Sequence, residues 1–261
     1  FIMYDIPFQV NWLENDIVKY EQEPIEKGKI LFYGHSLFTR CSFITGAKEN
    51  PKLVDEVRMK DGSQAIVNHG FGTSSADDLL YYYSRMVRPY KPRALVLATM
   101  SNDVGFGYSA EDIMEILARI VQWAKADFPD IRIYCFSDEP TLKHKGMKKD
   151  RYIRVRQQYN EYLETFCNQT ENCIYVPIHR APFFYENPED IGDYDKVRED
   201  IFYTDQNHLN PQGYAMFMDY MKEIGAPLSD AGKINELFWY SWGRKNKRCF
   251  QCILWTICHT A

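Results

Sequence analysis

Asp205 and His208 stand three residues apart in Thr204-Asp205-Gln206-Asn207-His208-Leu209-Asn210-Pro211, a spacing that lets one turn of chain present both. An imidazole that titrates near neutrality can take a proton from a hydroxyl, provided a carboxylate fixes its tautomer and steadies the imidazolium that forms. Such a pair needs a nucleophile and donors for an oxyanion, and the upstream sequence offers both. Ser36 closes Gly34-His35-Ser36 after an apolar run at 29–33. Gly72 lies in Asn68-His69-Gly70-Phe71-Gly72-Thr73, where glycines permit positive φ and close backbone approach to a ligand. Asn102, in Ser101-Asn102-Asp103, follows the run at 94–100 and can donate a side-chain hydrogen bond to the same oxygen.

These residues sit where the apolar runs end, so the runs must be the strands that position them. Residues 29–33, 65–70, 94–100, 131–136 and 173–178 read as strands, the fourth with alternating character. Helical patterns separate them. One starts at Ser74 or Ser75 as N-cap and continues through Tyr83. A second opens at Ser109 with Ile113, Ile116, Leu117, Ile120, Val121 and Ala124 at helical spacing. A third spans 150–169, and a last one starts at Pro211 with Met216, Phe217, Tyr220 and Met221 facing inward. Strands alternating with helices point to a parallel sheet covered on both faces. In such sheets ligands bind outside the carboxyl ends of the strands, where Ser36, Gly72 and Asn102 fall.

The four blocks, Gly34 to Ser36, Asn68 to Gly72, Ser101 to Asp103 and Asp205 to His208, occur in the order found in the SGNH hydrolase superfamily, which includes the GDSL-type esterases. The chain resembles that family over roughly residues 29–224, and most of all its bacterial branch, in which a strand runs into Asn-x-Gly-Phe-Gly before a Tyr-rich helix. The resemblance implies an α/β fold, a three-layer α/β/α sandwich of flavodoxin-like type with a five-stranded parallel sheet. It implies a serine hydrolase acting on ester bonds, with Ser36 as nucleophile and His208 as general base oriented by Asp205. The oxyanion hole would be the Ser36 N–H, the Gly72 N–H and the Asn102 amide. Two positions depart from the family pattern: His35 stands where Asp or Ser usually precedes the nucleophile, and Met100 where the third block usually begins with Gly.

Arg40, four residues past Ser36, can hold a polar or anionic part of a substrate, and His35 adds a titratable group beside the nucleophile; both are expected in substrate binding. The family's range and a polar, aromatic cleft without a long apolar lid suggest a short acyl group, such as O-acetyl, on a carbohydrate. A lysophospholipase or thioesterase is the enzymatic alternative, and an inactive carbohydrate-binding member of the fold the other.

A chain of 261 residues with a charge of −5 fits one hydrolase domain, 28–225, preceded by an arm at 1–27 with a short amphipathic helix and followed by a tail at 226–261. Neither a basic domain for nucleic acid nor an apolar run long enough for a membrane span is present. The Gly-x-Ser-x-Gly elbow of an ordinary α/β-hydrolase is absent around Ser36, which disfavours that fold; a phosphate loop and a dinucleotide fingerprint are absent too, so no cofactor is expected. Acid pairs at Asp77-Asp78 and Glu111-Asp112 read as first-turn helix residues rather than glycosidase carboxylates.

Residues 37–63 form a long connection whose Phe43 can face the cleft. The loop from Phe183 to Asp195 is expected to wall the cleft, and His144 to be a solvated loop residue. In the tail, Cys249, Cys252, Cys258 and His259 lack the second pair of a zinc site, so no metal is expected. The tail would dock on the domain or on a second copy, giving a homodimer. Seven cysteines, an odd number, favour a reducing, cytoplasmic setting. The sequence begins at Phe1, which leaves room for a trimmed secretory leader.

Overall fold

The structure, a computed structural model, describes residues 12–56, 63–143 and 149–230, with side chains in the last helix as far as 222. Five parallel strands form the centre: β1 (Ile30–Gly34), β2 (Ile66–Gly70), β3 (Ala94–Ala98), β4 (Arg132–Phe136) and β5 (Cys173–Val176), in the order β2-β1-β3-β4-β5. This is the flavodoxin-like order, whose switch point lies between β1 and β3. The register aligns Gly34 with Gly70 on one side and Ala98 on the other, so the three loops that leave these strands start at one level.

Side-chain alternation assigns the two faces. Leu31, Tyr33, Leu95, Leu97 and Ile133 point to one side, where α1 (Glu14–Glu21), α4 (Ala76–Met86), α6 (Ala110–Asp127) and α7 (Lys149–Gln169) cover them. Ile30, Phe32, Val96, Tyr134 and Phe136 point to the other, under α2 (Ser36–Thr39), α3 (Leu53–Glu56) and α8 (Pro211–Asp230). The expected three-layer sandwich is therefore present. Except for Arg132, every residue of β4 is buried. Its apparent alternation reflects polar ends, since a strand between β3 and β5 is covered on both faces.

Local signals account for the helix starts. Ser75 and Asp78 form a capping box on α4, and Ser109 and Asp112 form one on α6, each satisfying two donors at the helix N-terminus. The inward face of α8 is Tyr214, Phe217, Met218 and Met221, while Met216 and Tyr220 are only partly buried. The expected face was therefore displaced to one side. This helix continues to Asp230, past the boundary drawn at 225. In the arm, α1 buries Ile17 and Tyr20 but exposes Val18, and Tyr20 Oη donates to the Gly70 carbonyl at 2.6 Å. The loop at 183–195 lays Phe184, Tyr185 and Tyr194 into the domain. His144 and the tail cysteines lie outside the described residues.

Candidate active site

Ser36 is the first residue of α2, directly beyond the carboxyl end of β1, and is 6% exposed. The turn is clamped from several sides. Phe71 N donates to the Gly34 carbonyl at 2.9 Å, and Asn68 Nδ2 to the Phe38 carbonyl at 2.9 Å. Tyr214 Oη of α8 donates to the carbonyls of Ser36, at 3.4 Å, and Leu37, at 3.2 Å. Gly70 permits this packing, because a Cβ there would run into the backbone of Thr39.

The two donor loops are joined to each other. Asn102 Nδ2 donates to the Ser74 carbonyl at 2.9 Å, and Ala76 N donates to Asp103 Oδ1 at 2.8 Å. An amide nitrogen carries two hydrogens, so Asn102 keeps one for another acceptor. Gly72 does not take a positive φ; that conformation falls on Thr73, at 64°. A Cβ at Gly72 would meet only Thr39 Cγ2, at 3.9 Å, so the turn does not require glycine there. Met100 has φ 97°, a left-handed value costing a non-glycine residue about 1–3 kcal/mol. Its side chain is fully buried in the core, which offsets the strain. The chain thus keeps a glycine-like backbone ahead of Asn102 without glycine.

The third component is the loop before α8. Asp205 Oδ1 accepts from the backbone N–H groups of Asn207 and His208, both at 3.0 Å, and Oδ2 lies 2.7 Å from His208 Nδ1. Gln206 takes φ 59° to close the turn. Burial opposes ionisation of Asp205, but the hydrogen bonds from the His208 ring and the two backbone amides outweigh it and bring its pKa down to about 2. Arg40 Nη2 is 3.1 Å from the same Nδ1 and 3.8 Å from Asp205 Oδ2. A guanidinium only donates, so Nδ1 cannot both bind Arg40 and donate to the carboxylate. The shorter contact and the anionic partner favour Nδ1–H on Asp205, which makes Nε2 the acceptor, at 3.4 Å from Asn207 Nδ2.

Arg40 also stacks over the Tyr203 ring, with its Cζ 5.7 Å from the centroid, and Tyr203 Oη donates to Glu49 at 2.8 Å. Among the described residues His208 bonds to Asp205, Asn207 and the Tyr203 N–H and touches Arg40 without a hydrogen bond in this tautomer; no bond runs to Ser36. Arg40, together with the Tyr203–Glu49 hydrogen bond, brings the front of the chain to the His208 loop.

His35 is not a substrate-facing residue. It is 1% exposed; Nδ1 accepts from Leu37 N at 3.3 Å, and Nε2 lies 3.3 Å from Glu139 Oε2, at ion-pair distance but outside hydrogen-bond geometry. Glu139 follows β4 in a loop held by α7: buried Arg156 donates to Asp138 Oδ1 at 2.5 Å and to the Glu139 carbonyl at 2.9 Å. Burial lowers the pKa of His35, but the Glu139 carboxylate, helped by Asp103 and Asp138, outweighs it and raises the value. Burial raises that of Glu139, and His35 outweighs it in the opposite sense. Protonation would break the long bond from Leu37 N, yet the Glu139 carboxylate outweighs that one contact. Burial pushes Asp103 up to about 6.

Breaking the His35–Glu139 pair has a pH signature. A raised His pKa stabilises the fold below the ordinary value of 6.5, and the contribution is lost as pH rises through the folded value; a lowered Glu pKa stabilises it above 4.5, and that contribution is lost on acidification. The pair therefore contributes most between those values. Glu139→Gln is expected to cost about 1–3 kcal/mol near pH 5.5 and less at pH 9, measured as urea unfolding midpoints. An equal loss at both would contradict the pairing.

Phe43 does not face this site. It lines a groove of about 200 Å³ at the β2 edge with Glu23, Val67, His69 and Tyr90, and neither Ser36, Asn102 nor His208 borders it. Sequence reasoning missed Glu139, Arg156, Tyr203 and Tyr214. The acids after β4 were visible at a strand exit, whereas a charged residue inside a helical pattern gave no sign that Arg156 would be buried.

Ser36 and Asn102 follow β1 and β3, the strands on either side of the switch point, and Arg40 reaches from the turn after Ser36 to the Asp205–His208 loop. The chain belongs to the GDSL-like Lipase/Acylhydrolase family, whose model matches residues 32–216, and is an ester-hydrolysing enzyme. Solved structures share the fold. A GDSL-like lipase from Bacteroides thetaiotaomicron has a TM-score of 0.60 at 14% identity, covering 83% of this chain and 98% of that one. A mutant of Axe2, an acetyl-xylooligosaccharide esterase from Geobacillus Stearmophilus, has a TM-score of 0.57 at 18% identity, covering 78% and 97%. A lipase/acylhydrolase from Enterococcus faecalis has 0.55 at 15%, covering 76% and 95%. No curated protein matches the chain. No helix among the described residues is long and apolar enough to cross a membrane.

Proposed function

We propose that this enzyme is a serine esterase that removes a short acyl group, acetyl first among them, from a carbohydrate alcohol through an acyl-enzyme. The observation that carries it is the contact of the Asp205–His208 pair with Arg40, one turn beyond Ser36; the Gly72 and Asn102 loops, which leave β2 and β3, are tied to each other. His208 Nε2 takes the proton of Ser36 Oγ as the oxygen attacks the ester carbonyl. For this step Nε2 must turn from Asn207, 3.4 Å away, to Ser36; such bonds commonly form only with substrate in place. The oxyanion is held by the N–H groups of Ser36 and Gly72 and by the free hydrogen of Asn102. His208 returns the proton to the leaving alcohol, and a water then repeats the cycle on the acyl-enzyme.

Two features support the substrate class. The wall beside His208 is Arg40, Tyr203, Glu49 and Asn207, polar and aromatic, which suits a hydroxylated alcohol, with Arg40 binding its polar or anionic part. One similar fold belongs to an acetyl-xylooligosaccharide esterase. Asn102→Ala is expected to lower kcat about 10²–10³-fold with the fold retained, by steady-state kinetics alongside circular dichroism; an unchanged kcat would remove Asn102 from the oxyanion hole. The substrate reading is tested on a panel of acetylated xylooligosaccharides, nitrophenyl esters of increasing chain length and a lysophospholipid. The highest kcat/KM is expected on the acetylated sugars, and a preference for long acyl chains would overturn it.

A further inference from the structure

We propose that Cys135, Cys167 and Cys173 form a binding site for one three-coordinate thiophilic ion, and that trivalent arsenic is the ion this site fits best. The thiols come from three elements: the last residue but one of β4, the last turn of α7 and the first residue of β5. All three are buried and free. Their sulfurs lie within 4.8 Å of one another, at 3.6 Å for Cys135–Cys173 and 3.4 Å for Cys167–Cys173. Bonds of about 2.3 Å at the angles of about 90–100° of a three-coordinate centre that keeps a lone pair place sulfurs about 3.3–3.5 Å apart, so one such ion fits between them with small shifts. Nothing in the sequence spacing announces the trio, since it exists only once α7 has packed on the sheet.

The surroundings select the ion. Three sulfurs are a soft donor set. Among the described residues no fourth His, Cys, Asp or Glu atom joins them, whereas structural zinc is held by four ligands. Ile133, Tyr159 and Leu163 belong to the same apolar cluster, where a net charge is costly. Three thiolates around a monovalent or divalent cation would leave negative charge there. Arsenous acid avoids this. Three S–H and three As–O bonds break and three As–S bonds form; each departing hydroxide takes a thiol proton and leaves as water, and arsenic stays trivalent. Reactant and product are both uncharged. The filled site would staple α7 to β4 and β5.

The test incubates the reduced full chain with arsenite and reads intact mass and thermal unfolding. The expected result is a gain of one arsenic with loss of three hydrogens and a raised unfolding midpoint. Both should persist in Cys41→Ser and in the triple variant Cys249→Ser, Cys252→Ser, Cys258→Ser, and be lost in Cys135→Ser, Cys167→Ser or Cys173→Ser. Circular dichroism of each variant without arsenite checks its fold. If a trio variant fails to fold, the wild-type mass and the triple tail variant decide: uptake that follows the tail cysteines, a two-thiol adduct or no adduct would overturn the proposal.

Discussion

Ser36→Ala is expected to hydrolyse nitrophenyl acetate roughly 10⁶-fold more slowly than the wild-type chain, with circular dichroism and unfolding midpoint unchanged. Loss of a serine nucleophile costs about that much in a hydrolase whose nucleophile and base act as one unit. The surrounding structure supports a clean effect. The Ser36 backbone is held through its own carbonyl by Tyr214, and its neighbours through Asn68 and Phe71, so removing one oxygen leaves the turn in place. Ser36→Ala with His208→Ala should be little worse than either alone. Wild-type turnover in Ser36→Ala would remove the nucleophile from the proposed mechanism.

Asp205→Asn is expected to lower kcat about 10⁴-fold, as loss of the orienting carboxylate does in a Ser-His-Asp triad, by selecting the wrong imidazole tautomer. Here the structure adds a reason. With the carboxylate gone, Arg40 Nη2, 3.1 Å from His208 Nδ1, is left as a donor facing that nitrogen, and the proton moves to Nε2, where it blocks base catalysis. The double variant Asp205→Asn, Arg40→Ala should therefore recover part of the loss. Because Asp205 is held down to about 2, its contribution to folding is present above the ordinary value of 3.8 and lost as pH falls toward 2. A loss of activity at any milder acidity reports a different group. Kinetics across pH 3–8 check this, and a midpoint near 3.8 assigned to Asp205 by the variant would contradict the depressed value.

The layers and strand order were legible because β1, β2 and β3 are short apolar runs that each end in a glycine or a polar pair, and the helices between them carry strong N-caps at Ser75 and Ser109. Gly72 and Asn102 could be named as candidates from the same pattern, since strand exits concentrate chemistry, and His208 from its spacing to Asp205. What failed did so for reasons of packing. His35 looked available because it adjoins Ser36, yet a residue that caps a helix at the base of a cleft points inward, and Glu139 waits there. Met100 was read as a departure from glycine, but burial sustains the glycine-like φ. Arg40 could be placed near the site by counting from Ser36. Its contact with a histidine 168 positions away depends on how α2 and α8 meet, which no local pattern encodes.

The most direct test is to label the purified chain with a fluorophosphonate and map the adduct by peptide mass spectrometry. Proposed chemistry of this kind predicts one adduct, on Ser36, abolished in Ser36→Ala and strongly slowed in His208→Ala. An adduct on another residue, or no labelling of a chain that hydrolyses esters, would contradict it.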